Sequence, residues 1–201
     1  ATEVREAFEL DRIVLIPAAR PPHKQSGELA PAADRLQMLH MAVDNDPDME
    51  ISDVELRRKG PSYTVDTLAH YQENCAPDSQ LYLIMGLDAM LEIDTWKAYR
   101  RLLASVPVIV ISRPDPLYRS VTDGWQRLEH YLKTVVSPGY AFSDADSAFV
   151  AAGQAPIYIL DVSALDISSS GIRKLIKTGQ SIRYLVPESV AEYIAAKGLY
   201  A

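Results

Sequence analysis

Short apolar runs alternate with amphipathic stretches along most of the chain. Val4, Ala7, Phe8 and Leu10 share one face at helical spacing over Thr2–Leu10, and Asp11 ends that pattern. Ile13–Ile16 is a brief apolar run closed by Pro17, which predicts a buried strand. Pro21-Pro22-His23-Lys24 then predicts a loop, followed by a helix over Ala33–Asp44. Met49–Leu56 alternates as a strand does, and Pro61-Ser62-Tyr63-Thr64 opens a helix that runs to about Asn74. Leu81–Met85, ended by Gly86, predicts a strand, with one helix over Ala89–Leu103 behind it. Val106–Ile111 predicts the next strand, closed by Arg113-Pro114.

Strands alternating with helices predict an α/β fold whose mostly parallel sheet is covered by helices on both faces. The alternation weakens over 115–156. Trp125–Val135 has helical character there, whereas Ser137–Gly153, rich in Ser, Asp, Ala and Gly, predicts a loop. Ile157–Val162 restores the strand pattern. Ser168–Thr178 and Pro187–Lys197 predict two closing helices, with Gly198 as a stop. A single domain over 1–201 is expected, with 115–156 a variable insertion and 168–201 a small helical C-terminal part. Doubly wound nucleotide folds begin with a strand and its phosphate-binding turn. This chain begins inside a helix, so that unit is expected upstream of Ala1.

Composition narrows the function classes. At 48% hydrophobic and 23% charged residues the chain is an ordinary globular sequence. No apolar run approaches the roughly 20 residues that span a bilayer. The charged opening Ala1–Leu10 is no secretory signal. Cys75 is the one cysteine, which excludes a disulfide framework and a cysteine-based zinc site. A cytoplasmic protein without a membrane partner is expected. The net charge of −7 argues against nucleic acid as a partner. It leaves room for a small phosphorylated ligand, for which the candidate cations are His23, Lys24, Arg57, Arg58, Arg113, Arg173 and Lys174.

The segment Ile167-Ser168-Ser169-Ser170-Gly171-Ile172-Arg173 follows the last predicted strand and opens a helix. A helix start leaves backbone N–H groups unpaired and carries about half a positive charge. Serines there cap the helix or meet an oxyanion, and an arginine one turn in adds a planar, permanently charged fork. These are the parts of a phosphate site. Taken alone, they favour the plainer reading of a capped helix.

Read in order, several segments resemble the bacterial nicotinate-nucleotide adenylyltransferases. They are Ile16-Pro17-Ala18-Ala19-Arg20-Pro21-Pro22-His23-Lys24, then the run from Glu55 through Gly60-Pro61-Ser62-Tyr63-Thr64 to Leu68, and then Ile84-Met85-Gly86-Leu87-Asp88 with Thr95-Trp96. Val108–Ser112 with Arg113-Pro114 and the Ile167–Arg173 segment with Leu185–Val190 complete the set. The family's opening signature, G-T-F-D-P-x-H-x-G-H, is absent. The histidines are His23, His40, His70 and His130, and none stands in an H-x-G-H context.

The resemblance implies a Rossmann-like nucleotidyltransferase fold and transfer of the adenylyl group of ATP to nicotinate mononucleotide. The 5′-phosphate attacks the α-phosphorus in line, a reaction that needs positioning and charge neutralisation more than a covalent nucleophile. It implies ATP-phosphate contacts for Ser168, Ser170 and Arg173, with Ser169 at a position the family varies. It sets the catalytic cations His23 and Lys24 beside the phosphates, with Arg173, and Arg113 near the adenine. For nicotinate mononucleotide it implies Thr64 at the carboxylate, Gly86 and Asp88 near the ribose, and Trp96 over the pyridine ring. Mg2+ is implied through the ATP phosphates and water, since no Asp, His or Glu cluster has metal-ligand spacing; a homodimer fits the family pattern. Judged by their own surroundings, these residues keep plainer readings. Trp96 near Tyr99 and Leu103 suits a core, Asp88 a helix cap, Arg113-Pro114 a strand end, and His40 the face of a helix. Alternative functions are a related adenylyltransferase acting on nicotinamide mononucleotide or a pantetheine phosphate, and a non-catalytic nucleotide-binding module.

Overall fold

The computed structural model describes residues 1–20, 29–44, 46–112, 121–163, 165 and 167–201. In chain order the elements are α1 (Thr2–Ala7), β1 (Ile13–Leu15), α2 (Ala32–Ala42), β2 (Met49–Ile51), α3 (Val54–Arg57), α4 (Thr64–Asn74), β3 (Leu83–Gly86) and α5 (Leu87–Met90). There follow α6 (Tyr99–Ser105), β4 (Val108–Ile111), α7 (Val121–Tyr131), β5 (Ala141–Ser143), β6 (Ala148–Val150), β7 (Ile157–Leu160), α8 (Ser169–Lys177) and α9 (Glu188–Lys197). They fall into two compact units, Ala1–Ser62 with Ile167–Ala201, and Tyr63–Asp166. No helix among the described residues is long and apolar enough to cross a membrane.

In the first unit β1 and β2 pair in parallel, Ile13 opposite Met49 and Leu15 opposite Ile51. Helix α9 returns to α2, where Tyr193 Oη donates to Asp34 Oδ1 at 2.6 Å and Lys197 Nζ stands 3.7 Å from the same oxygen. Val190 and Ile194 of α9 are buried, and Gly198 ends the helix at φ 60°, as its sequence position predicts. The strand expected over Met49–Leu56 stops at Ile51. The Asp53 carbonyl accepts from Leu56 and Arg57 at 2.8 and 3.1 Å, which turns Glu55 and Leu56 into α3. Alternation over so short a stretch does not separate a strand from a single helical turn.

In the second unit the sheet runs β3-β4-β7-β6-β5. Leu83, Val108 and Ile157 stand in register across the parallel strands β3, β4 and β7. Strands β6 and β5 extend this sheet in antiparallel fashion. Val108, Ile109, Val110 and Ile157 are fully buried, which is why these strands read as continuous apolar runs. Met90, Ile93, Leu102, Leu103, Leu128 and Leu132 join Val108, Val110 and Ile157 in one core.

Two expectations fail in this unit. The loop predicted over Ser137–Gly153 contains the β5–β6 hairpin, held by an edge-on pair of Phe142 and Phe149 rings 5.1 Å apart. Its polar turn, where Ser143 Oγ donates to Asp146 at 2.6 Å, supplies the composition that masks the flanking strands. The single helix predicted over Ala89–Leu103 is broken into α5, a tight 3-10 turn at Ile93–Thr95, and α6. Thr95 is drawn back onto the Glu92 carbonyl by its backbone N–H at 3.0 Å and its hydroxyl at 2.7 Å. Ala98 then adopts φ 51°, a left-handed conformation that ends one helical direction and begins another. The helix expected over Trp125–Val135 is α7 followed by a wide turn at Leu132–Val136, in which the Ser137 N–H reaches the Leu132 carbonyl at 2.8 Å.

Candidate functional site

In the second unit, Gly86 closes β3 and is the residue from which α5 starts. Asp88 projects from the first turn of α5 and is exposed, while its neighbours Leu87 and Met90 are buried. Buried side chains on either side therefore fix where this carboxylate emerges. Thr64 is the first residue of α4, seated by the buried Val65, Thr67 and Leu68. The first N–H groups of such a helix have no intrahelical acceptor and form its positive end.

Trp96 follows the 3-10 turn, with its N–H donating to the Ile93 carbonyl at 3.0 Å. It is half-buried and packs against the core of the unit, so it has a packed side and an accessible side. The next residue, Lys97, donates to Asp66 Oδ2 at 3.0 Å and lies 4.4 Å from the centre of the Tyr63 ring. The structure thereby ties the Trp96 segment to the turn of α4 that carries Thr64. On the other side of Trp96, Tyr131 Oη donates to Asp94 Oδ1 and accepts the Asp94 backbone N–H at 3.2 Å. Burial and the hydrogen bond to Asp94 push the Tyr131 phenol up to about 12. Lys97, Asp66, Asp94 and Tyr131 carried no signal in the sequence, because their pairing depends on a turn inside an expected helix.

In the first unit Ser168 caps α8, its Oγ accepting the Gly171 N–H at 3.1 Å. Ser169 and Ser170 are the first two helical residues, both exposed. Arg173 donates from Nη2 to Ser170 Oγ at 3.1 Å, so hydroxyl and guanidinium already face one another at this helix end. A Cβ at position 171 would stand 3.1 Å from Ser168 Oγ, and the glycine keeps the cap open. Lys174 is exposed on α8. Arg57 and Arg58 line an open cavity with Arg20 and Lys59; Arg57 pairs with Asp53 at 2.8 Å and Arg58 with Glu55 at 3.8 Å. His40 is exposed in the last turn of α2.

His23, Lys24 and Arg113 lie outside the described residues. The chain on either side of 21–28 is well anchored. Ser62 Oγ accepts the N–H groups of Ala19 and Arg20 at 2.8 and 3.3 Å. Arg35 donates to the Ala18 carbonyl at 2.6 Å on one side and to the Ala30 carbonyl at 3.1 Å on the other. Among the described residues no group of three or more His, Cys, Asp or Glu side chains is placed to hold a metal ion.

Residues 1–175 match the cytidylyltransferase-like family. The probable nicotinate-nucleotide adenylyltransferase of Desulfatibacillum aliphaticivorans is 44% identical over 209 residues, spanning 100% of this chain and 90% of its own. That of Geobacter metallireducens is 36% identical over 200 residues, spanning 100% of this chain and 89% of its own. Among solved structures, the Plasmodium falciparum nicotinic acid mononucleotide adenylyltransferase complexed with NaAD superposes with a TM-score of 0.70 at 18% identity, over 98% of this chain and 86% of that one. The fold is shared across that distance.

Proposed function

The chain belongs to the cytidylyltransferase-like family and, within it, to the nicotinate-nucleotide adenylyltransferases, and from that premise we propose how its own residues serve the reaction. A 5′-phosphate oxygen of nicotinate mononucleotide forms a bond to the α-phosphorus of ATP. The bond from that phosphorus to the bridging oxygen of the β-phosphate breaks, and pyrophosphate leaves. Negative charge builds on the transferring and departing oxygens, and fixed donors that meet it there lower the barrier. Ser168, Ser169, Ser170 and Arg173 at the start of α8 serve the ATP phosphates, with His23 and Lys24 as further cations and Arg113 toward the adenine. Mg2+ travels with the ATP phosphates, held by them and by water. The two units act as parts of a single nucleotidyltransferase domain, with 168–201 its helical C-terminal part, in a cytoplasmic enzyme.

The acceptor reading is carried by one observation: Lys97 joins the Trp96 segment to the helix end of Thr64. A planar aromatic ring bearing a carboxylate needs a flat apolar surface and a positive helix end held in fixed relation. In this reading Trp96 stacks on the pyridine, Thr64 receives its carboxylate, and Gly86 and Asp88 meet the ribose. Pyrophosphate release measured with nicotinate mononucleotide, nicotinamide mononucleotide and phosphopantetheine tests it. The expected order puts the nicotinate compound first, and equal or faster turnover of a non-pyridine acceptor rejects it. Trp96→Ala is expected to raise the KM for nicotinate mononucleotide by about 1–3 kcal/mol, the worth of an aromatic stacking platform, with little change for ATP. Arg173→Ala is expected to lower kcat and weaken ATP together, by about 2–4 kcal/mol in sum.

A further inference from the structure

The turn that carries Trp96 is held from outside its own segment. Asp94 uses two groups on the same phenol: its carboxylate accepts from Tyr131 Oη, and its backbone N–H donates to that oxygen at 3.2 Å. Binding through both side chain and backbone fixes the position and the rotation of the Ile93–Thr95 turn. Tyr131 is itself fixed. Leu128 and Leu132, fully buried on the same stretch of helix, set its rotation, and Trp125 Nε1 pins the helix by donating to Asp161 Oδ1 at 2.9 Å. With a phenol pushed up to about 12, the hydroxyl remains a donor at every physiological pH. Beyond Trp96, Lys97 reaches Asp66 and Tyr63 on the α4 side. Exposed ion pairs are worth little energy, so the value of this second tie is its geometry.

We propose that Tyr131 and Lys97 are positioning residues that hold Trp96 between them at a fixed angle to the start of α4, and so set the enzyme's affinity for an acidic pyridine nucleotide. The proposal rests on the reading of Trp96 as the pyridine platform. It assigns part of acceptor recognition to α7, within the stretch that the sequence leaves least readable. Neither residue touches the substrate in this scheme. Each acts through the orientation of the indole.

Tyr131→Phe tests it in the full-length enzyme, because it removes one oxygen and leaves the ring packing in place. The expected result is a rise of about three- to tenfold in the KM for nicotinate mononucleotide, the range of one net hydrogen bond, with kcat and the KM for ATP unchanged. Asp94→Asn, which keeps both the acceptor oxygen and the backbone N–H, is expected to behave as the wild type, whereas Asp94→Ala follows Tyr131→Phe. In a Trp96→Ala background Tyr131→Phe is expected to add nothing. An additive effect there, an equal change in the KM for ATP, or no change in either KM overturns the proposal.

A second measurement separates its failure from that of the acceptor reading. The chain has two tryptophans, so in a Trp125→Phe background the emission reports Trp96 alone; that background gives up the bond to Asp161 and is itself the reference for each further change. Tyr131→Phe and Lys97→Met are each expected to raise acrylamide quenching of that signal in the absence of any nucleotide. Unchanged quenching rejects positioning, whatever the kinetics show. Raised quenching with a Trp96→Ala enzyme of normal KM keeps the tie and rejects the platform.

Discussion

Tyr140 is 1% exposed, and its hydroxyl has no hydrogen-bond partner among the described residues. A buried polar group left unpaired costs about 1–3 kcal/mol. Tyr140→Phe keeps the ring and removes that cost, so it is expected to raise the urea midpoint by the equivalent of roughly 1 kcal/mol at neutral pH. Burial also pushes the Tyr140 phenol up to about 12, above the value of about 10 of an unfolded chain. A group whose folded pKa is raised contributes stability that is complete below the unfolded value and is lost as pH climbs to the folded one. Wild-type stability should therefore fall between pH 10 and 12. The fall should be shallower in Tyr140→Phe, and Tyr131, pushed up to about 12 as well, should maintain the remainder together with Tyr158 and Tyr193, whose phenols are also raised. A slope identical in the two proteins would show that Tyr140 ionises as freely when folded as when unfolded.

At the scale of elements, the start of α8 combines two requirements that usually compete. A serine cap is worth about 0.5–2 kcal/mol, and a glycine inside the first turn costs up to about 1 kcal/mol against alanine. Gly171 is retained where a Cβ would come within 3.1 Å of the capping Ser168 Oγ. Gly171→Ala is therefore expected to be neutral or destabilising in the wild type and stabilising in a Ser168→Ala background. Thermal unfolding of the four proteins of that cycle checks it; the same sign in both backgrounds would separate glycine from cap. This helix was legible in the sequence because Ser168, Gly171 and Arg173 act within a few residues of one another. The same locality made the α9 stop at Gly198 and the parallel strands β3, β4 and β7 readable. What failed to read turned on pairings and backbone angles that composition and periodicity do not carry. Phe142 and Phe149 become strands by facing each other, and the helix ahead of Trp96 breaks because Thr95 folds back and Ala98 turns left-handed. At the candidate site, Thr64, Asp88 and Trp96 are legible only through the ordered motifs that surround them. Tyr131 and Lys97 are not, since nothing near either residue in the chain announces its partner.

For the whole molecule, the first unit is assembled from two stretches of chain far apart in sequence, 1–62 and 167–201. Asp34 of α2 is the joint, receiving Tyr193 and Lys197 of α9. Tyr193→Phe is expected to lower thermal stability, read as an earlier unfolding midpoint, by weakening the contact between α2 and α9. The sheet of the second unit has a different vulnerability. One of its two outer strands among the described residues, β5, is three residues long, with Phe142 39% exposed. An open strand with an accessible aromatic ring is a template on which another molecule can stack. Asp144 and Asp146 stand at the turn that ends it, both exposed, in a protein of net charge −7. Like charges brought together along that border repel, so solubility at high concentration is expected to rest in part on these two turn carboxylates. Neutralising Asp144 alone, which spares the Ser143–Asp146 bond, should promote self-association visible by light scattering, and added salt should act on the wild type in the same direction.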